Sequence, residues 1–367
     1  MASWNELKEK LEELEGAELS ITKRTTTLEK LQNLVASHYM TEDTLPQLQP
    51  MLAYDSGVYS NGSLDEYENS HYSIEPKFNG IRMLCFLRNK KVRFQTRGRS
   101  RHTQLFSERT GHYPQYHNRY DPKYEGTILD GEMVAFVNSP NRKKNLWIDN
   151  DLPLVMSMNG GRDEAGIATQ MEKGWARYIV FDIISYCGED VTHLSQKERR
   201  NLLLIVAKDL DLDVSPEWIP GKKYSVRERF DMITKTGGEG VILKNRDSAY
   251  EHRRSYSWLK VKRFEEIIGY VDSIYKMGSN SIEGMAGSIV IVNEQGEQVA
   301  IVGGLSHEIR KDLVLEDMVI NPEYVGKKVL VRYHIKYART GNPHHARLIS
   351  WLDNDINYEE TCKEEVS

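Results

Sequence analysis

Near the start of this chain apolar residues recur every three or four positions, the period of a helix with one buried face. Trp4, Leu7, Leu11 and Leu14 mark that face over residues 3–15. Ser3 with Glu6 makes a capping box, and Gly16 ends the run. A second helix is expected over 27–39, with Leu28, Leu31, Leu34 and Val35 inward. Two short helices bury little by themselves, so they are expected to dock on a larger body. The stretch 41–50, TEDTLPQLQP, reads as a connector.

From about residue 51 the texture changes to strands. ILDGEMVAF (128–136), RYIVFDIIS (177–185), GVILKN (240–245) and WLKVKRF (258–264) are rich in β-branched and aromatic residues. Between them SQKERRNLLLIVAKDL (195–210) and SVRERFDMITKTG (225–237) have helical spacing. Residues 138–174, polar and glycine-containing, are expected to form a mobile loop plus a helix. Beyond about 264 the strands shorten, with a hairpin over 287–304 around Gly296. KKVLVRYHIKY (327–337) alternates, placing Val329, Val331, Tyr333 and Ile335 on one face and Arg332, His334 and Lys336 on the other. The expected fold class is α+β. A small helical segment fills 1–45, a body with mostly antiparallel sheet 46–263, a small β-barrel of the OB-fold type 264–352, and an acidic tail 353–367.

Composition narrows the class. With 39% hydrophobic and 28% charged residues the chain can bury real cores. No apolar run is long enough to span a bilayer, and MASWNELKEK has no apolar signal core, so a cytoplasmic location is expected. Cys85, Cys187 and Cys362 lie far apart and form neither a zinc module nor a disulfide framework, which suits a reducing compartment. Net charge is −5, yet RGRSRH (97–102), HRRSYSWLKVKR (252–263) and VRYHIKYARTGNPHHAR (331–347) are local basic clusters. The aromatics among them suit a nucleic-acid backbone.

Candidate chemistry begins in SIEPKFNGIRM (73–83). A lysine such as Lys77 becomes a nucleophile when desolvation or neighbouring positive charge favours its free amine. Gly80 permits a tight approach, and Arg82 carries a fork of donors for phosphate. In LDGEM we place Asp130 and Glu132 on opposite faces of a strand, around Gly131. In GGEGVILKN, glycines 237, 238 and 240 surround Glu239, a carboxylate suited to a divalent ion. In WLKVKRF, Lys260 and Lys262 share one strand face and form a paired phosphate cradle.

Lys-x-x-Gly-x-Arg at Lys77, Asp-Gly-Glu at Asp130, Tyr-x-x-Phe-Asp at Tyr178, Glu-Gly-Val-x-x-Lys at Glu239 and Lys-x-Lys at Lys260 follow in order. This set resembles that of the covalent nucleotidyltransferases: ATP-dependent DNA ligases, RNA ligases and mRNA capping enzymes. The resemblance covers about residues 50–350 and is nearest to a compact DNA ligase of the kind bacteriophages encode. It implies an ATP-grasp-like nucleotidyltransferase domain followed by the OB-fold. Lys77 would take AMP from ATP, pass it to the 5′-phosphate of a nick, and a 3′-hydroxyl would displace it. Glu75 would read the adenine amino group, Phe181 would stack on the base, and Glu132 would hold the ribose. Arg82 and Arg97 would approach ribose and nick phosphate, and Lys260 and Lys262 the α-phosphate. Glu132 and Glu239 would meet Mg²⁺ or a similar ion. Cationic neighbours and that ion are expected to favour the free amine of Lys77.

The implied partner is nicked duplex DNA, bound by a monomer in replication, repair or recombination. Arg99, Arg101, Arg253, Arg254, Arg332, Lys336 and Arg347 are the candidate DNA contacts, with Arg142, Lys143 and Lys144 suited to the same task. The family's pattern is broken twice. Asn79 stands where an aspartate is usual, and ARLISWLDND (346–355) offers Asp353 without the flanking arginine and lysine of the last motif. Either Arg347 or Lys336 substitutes there, or the first step proceeds differently. The NAD-dependent members need a four-cysteine module that three scattered cysteines cannot build. An RNA ligase, a capping guanylyltransferase and a catalytically silent nucleic-acid-binding relative stay open as alternatives.

Overall fold

A computed structural model describes residues 2–352 apart from 24–25, 57–63, 137–144, 222, 277–284, 316–318, 335–342 and 344–345. Arg142, Lys143, Lys144, Lys336, Asp353 and the acidic tail therefore lie outside the described residues.

Helices α1 (Trp4–Glu15) and α2 (Leu28–Ser37) form, but of the four residues expected inward on α2 only Leu31 and Val35 are buried, while Leu28 and Leu34, on the flanks of that face, are exposed. The Glu6 amide donates to Ser3 Oγ at 3.2 Å, the Glu6 carboxylate accepts from the Ser3 amide, and Gly16 closes α1 at φ 66°. Leu7, Leu11, Leu31 and Val35 make a small core of their own. The pair docks through side chains: Glu6 meets Arg101 at 3.1 Å and Asn33 accepts from Arg99 at 2.8 Å.

The strands of the body are β1 (Leu52–Asp55), β2 (Tyr72–Pro76), β3 (Ile81–Arg88), β4 (Lys91–Arg99), β5 (Phe106–Glu108), β6 (Ile128–Val134), β7 (Arg177–Tyr186), β8 (Glu189–Asp190), β9 (Asp213–Val214), β10 (Gly240–Asn245) and β11 (Arg254–Lys262). They form two sheets among the described residues, ordered β1-β11-β10-β2 and β5-β4-β3-β6-β7-β8, with β9 beside β7. Pairing is antiparallel except for β1 with β11 and β7 with β9. The β3–β4 hairpin was not among the expected strands. Its turn residues Asn89 and Lys90 both have positive φ, 54° and 61°, the conformation that reverses a twisted ribbon in two residues.

Residues 152–173 are two helices rather than a loop and one helix: α3 (Leu152–Asn159) and α4 (Asp163–Lys173). The Asp151 carboxylate caps α3 by accepting from the Leu154 amide at 2.7 Å, while Val155 and Met158 pack into the core of the second sheet. The expected helices α5 (Gln196–Asp209) and α6 (Val226–Lys235) are present.

The C-terminal strands β12 (Glu265–Lys276), β13 (Ala286–Val292), β14 (Gln298–Val302), β15 (Lys328–Tyr333) and β16 (Arg347–Trp351) form one sheet ordered β14-β13-β12-β15-β16. It is an open path among the described residues, and no barrel closure is found there. Val329, Val331 and Tyr333 are buried as the alternation requires. His334 departs from it. The strand ends at Tyr333, and the His334 ring turns inward against Phe264, centroids 4.6 Å apart. Ile335 lies outside the described residues.

Candidate active site

Lys77 sits in the short crossing from β2 in the first sheet to β3 in the second. Its amide donates to the Gly240 carbonyl at 2.9 Å, fixing the crossing against β10. Its ammonium group contacts Glu239, and the other oxygen of that carboxylate lies 3.1 Å from Lys262 Nζ. Burial works to raise the Glu239 carboxyl, but Lys77 and Lys262 overcome it and hold the group at about 2. Two glycines make this geometry possible. A Cβ on Gly240, at φ 144°, would lie 2.1 Å from the Val261 carbonyl, and one on Gly80 would lie 2.3 Å from the Met133 carbonyl. Either side chain would force apart elements that present charged groups to the cleft.

Arg82 faces β6. Its Nε and one terminal nitrogen each donate to Asp130 at 2.5 Å, a bidentate pair on a fully buried carboxylate. Tyr250 adds a hydroxyl donation to the same carboxylate at 2.6 Å. The guanidinium carbon then lies over Phe181, 4.4 Å from the ring centroid. The expectation that Asp130 and Glu132 face opposite ways is wrong. They are two residues apart, so the pleat puts both on one side, across from Leu84 and Arg82 of β3. Burial pushes the Glu132 carboxyl up to about 7 against the pull of Arg82, Lys77 and Arg97.

Deeper in, Glu75 and Lys244 pair at 2.7 Å with side chains only 2% and 1% exposed. Lys244 also donates to the Phe181 carbonyl at 2.8 Å and lies over the Trp258 ring at 4.5 Å. Lys244 closes the Glu-Gly-Val-x-x-Lys motif. Its signal was there: a lysine inside an apolar strand needs an anion, and SIEP supplies one in Glu75. Met156 and Asn159, from the unexpected helix α3, and Arg109, which follows β5, also line the cleft and are absent from the sequence reading.

The charged groups converge on one cleft of about 730 Å³, whose lining does not include the buried Asp130 and Tyr250. Glu75, Lys77, Arg82, Arg97, Glu132, Phe181, Glu239, Lys260 and Lys262 all line it, as does Asn79. Burial, and then the Lys262 charge, hold the Lys260 ammonium below its ordinary range. Lys262 is lowered by its own burial and by Lys77, against the pull of Glu239. Such a cluster wants a polyanion.

The candidate DNA contacts divide. Arg99 and Arg254 line the cleft. Arg99 is also held by the Gln104 carbonyl and Asn33, and Arg101 by Glu6. Arg253 pairs with Glu251 at 2.5 Å. Arg332 and Arg347 lie far along the chain, paired across β15 and β16, and Arg332 meets Glu266 at 2.6 Å.

Two antiparallel-rich sheets joined through a lysine-bearing crossing, with a charged cleft between them, define a nucleotidyltransferase-type ligase fold. The model of the ATP-dependent DNA ligase domain matches residues 50–262, and the chain belongs to that family. A multifunctional non-homologous end joining DNA repair protein, LigD of Mycobacterium tuberculosis, is 32% identical over 229 residues, 60% of this chain and 25% of LigD. The SPbeta prophage-derived DNA ligase-like protein LigB of Bacillus subtilis is 26% identical over 207 residues, 55% of this chain and 64% of LigB. The chain thus spans about a quarter of the length of the end-joining relative. A structure from a study of Lig E DNA ligases, described as binding DNA with a minimal scaffold, shares the fold with TM-score 0.57 and 19% identity, over 84% of this chain and all of that one. No helix of the described residues is long and apolar enough to cross a membrane.

Proposed function

We propose that this protein is an ATP-dependent DNA ligase that seals nicks between a 5′-phosphate and a 3′-hydroxyl in duplex DNA. The observation that carries this reading is the meeting, in one cleft, of nine residues scattered between positions 75 and 262: Glu75, Lys77, Arg82, Arg97, Glu132, Phe181, Glu239, Lys260 and Lys262. Lys77 attacks the α-phosphorus of ATP as a free amine. A P–N bond forms, the bond to pyrophosphate breaks, and AMP rests on Lys77. The α-phosphate takes over the neutralising place that the Glu239 carboxylate holds between Lys77 and Lys262. Lys260 and Lys262 stabilise charge building on that phosphate. Glu75 with Lys244 reads the base, Phe181 supplies an aromatic face, and Glu132 and Arg82 hold ribose and phosphate. AMP then passes to the 5′-phosphate of the nick, and the 3′-hydroxyl displaces it.

The donors fit a hard divalent cation such as Mg²⁺. Glu132 and Glu239 offer carboxylate oxygens within electrostatic reach of each other. No ready cage of three or more His, Cys, Asp or Glu exists among the described residues, as suits an ion completed by substrate phosphates. When bound, the ion neutralises charge on the triphosphate and the leaving pyrophosphate.

DNA is placed along Arg97, Arg99, Arg101, Arg253 and Arg254, with Arg332 and Arg347 on a C-terminal unit of the OB type that closes over the duplex. Domain limits of 46–263 and 264–352, a monomeric state and a cytoplasmic setting in DNA repair complete the reading. Incubation with ATP labelled on the α-phosphate and Mg²⁺ should give a covalent AMP adduct that Lys77→Ala abolishes. An adduct that persists in the variant would sink the mechanism. Sealing only of strands ending in an RNA 3′-hydroxyl would turn the reading to RNA ligase.

A further inference from the structure

The face of β11 that carries Lys262 and Lys260 does not stop at the nucleotide cleft. Trp258 and Arg254, on alternate positions of the same strand, also line it. Tyr256 lies between them. The parallel register of β1 and β11 shifts here: Ala53 pairs with Ser255, but Tyr54 pairs with Leu259. The extra residues bulge from the strand and carry the Tyr256 ring outward. It stacks on Tyr54 with centroids 3.9 Å apart and planes 8° from parallel. Tyr256 nevertheless stays 72% exposed, so the ring face away from Tyr54 is open. Arg254 donates to the Ala53 carbonyl at 2.5 Å, and its guanidinium is held 5.6 Å from the Tyr54 ring centre. Leu52 and Ala53, the residues leading into Tyr54, line the cleft as well, so the stack borders it.

A flat aromatic face beside fixed cations is a stacking platform for an unstacked nucleobase, because every base has a π face while its phosphate seeks the cations. A base paired inside a continuous duplex cannot offer that face. We infer that Tyr256, backed by Tyr54 and flanked by Arg254, binds an unpaired base of a DNA strand at the border of the cleft. The inference rests on the ligase reading and extends it to broken DNA with single-stranded positions. From Lys260 to Tyr256 is four residues of strand, at most about 14 Å, so the platform serves nucleotides close to the reacting end. An aromatic side chain of a protein partner would leave the Arg254 cation beside Tyr54 without an anion, whereas a nucleotide brings a phosphate to it.

The test uses the full chain and two fluorescein-labelled duplexes, one with a closed nick and one with a short single-stranded gap. Tyr256→Ala should weaken binding to the gapped duplex about tenfold and leave the nicked duplex within about twofold. Tyr256→Phe should bind both as the parent does, because the ring face is kept. AMP transfer from ATP to Lys77 should be unchanged in both variants. An equal loss on both duplexes, or no loss on either, overturns the platform. So does failure of Tyr256→Phe to keep the gapped-duplex affinity. Failure of the parent to form the AMP adduct, or to bind either duplex, would instead bring down the ligase reading, and the two failures are told apart by the parent alone.

Discussion

The charged cleft and the C-terminal region use ion pairs in opposite ways. In the cleft Glu75–Lys244, Asp130–Arg82 and Glu239–Lys262 are largely withdrawn from water. In the C-terminal region Glu266–Arg332 on the sheet and Glu323–Lys327 just before β15 stay in contact with solvent. Burying a charge costs several kcal/mol that its partner only partly returns, whereas a solvated pair costs and gains little. A fold carries buried pairs where fixed charge is needed for something else. Under the proposed function, that need in the cleft is a polyanion held in place before reaction. The C-terminal sheet keeps its core apolar, with Val329, Val331, Ile289 and Ile291 fully buried.

The largest expected contrast is chemical. Lys262→Ala should slow AMP transfer to Lys77 by about 10²–10³-fold, since it removes a fixed cation from the proposed α-phosphate site. Glu239 keeps Lys77 as a partner, so the thermal midpoint should move little. Single-turnover labelling read beside a melting curve checks both statements. A proportional loss of midpoint would make Lys262 a structural residue and erase the contrast.

Next in size is stability. Lys244→Met strands the buried Glu75 and should cost about 3–5 kcal/mol in denaturant unfolding. Removing both charges, as Glu75→Leu with Lys244→Met, should recover much of that loss while abolishing AMP transfer. A single variant as stable as the parent would show that the pair is not desolvated. Gly80→Ala should cost about 1–3 kcal/mol, because its Cβ would meet the Met133 carbonyl at 2.3 Å.

Sequence reasoning was strongest in the cleft for the same reason that the cleft is expensive. A lysine, glutamate or glycine in an apolar strand stands out against its surroundings, and the ordered set from Lys77 to Lys262 was legible at once. What was not legible was which face each group took and what it touched. Asp130 and Glu132 were assigned to opposite sides although a strand's period of two puts them together. The pairing of Glu75 with Lys244 spans 169 positions, and no local pattern reports it. Arg99 and Arg101 read as free basic residues, yet they fasten the N-terminal helices. In the C-terminal region β12 was missed. Its EEIIGYVDSIYK run mixes charges with paired apolar residues, and bulges interrupt its register with β13.

A pH profile sharpens the comparison further. Burial raises the Glu132 carboxyl from its ordinary 4.5 to about 7. The folded state therefore binds this proton more tightly than the unfolded chain, and its ionisation weakens the fold as pH rises from about 4.5 to about 7. Function should run the other way, because the anion accepts from ribose more strongly than the neutral acid and holds a cation far better. AMP transfer should gain severalfold across pH 7, and Glu132→Gln should lack that rise. An unchanged profile in the variant would assign the rise to another group.

The smallest effect belongs to the C-terminal sheet. Arg332→Ala breaks a pair with Glu266 whose side chains are 27% and 35% exposed. Water can solvate the carboxylate left behind, so the change should cost under about 1 kcal/mol and shrink further at high salt. AMP transfer to Lys77 should be untouched, since Arg332 is not among the residues lining the cleft. If Arg332 holds DNA as proposed, the same variant should weaken binding of nicked duplex modestly and reduce the steepness of its salt dependence by about one phosphate contact. A loss as large as that of Lys244→Met would mean that this pair is as poorly solvated as those of the cleft, and that the two regions do not differ in the way their exposures indicate.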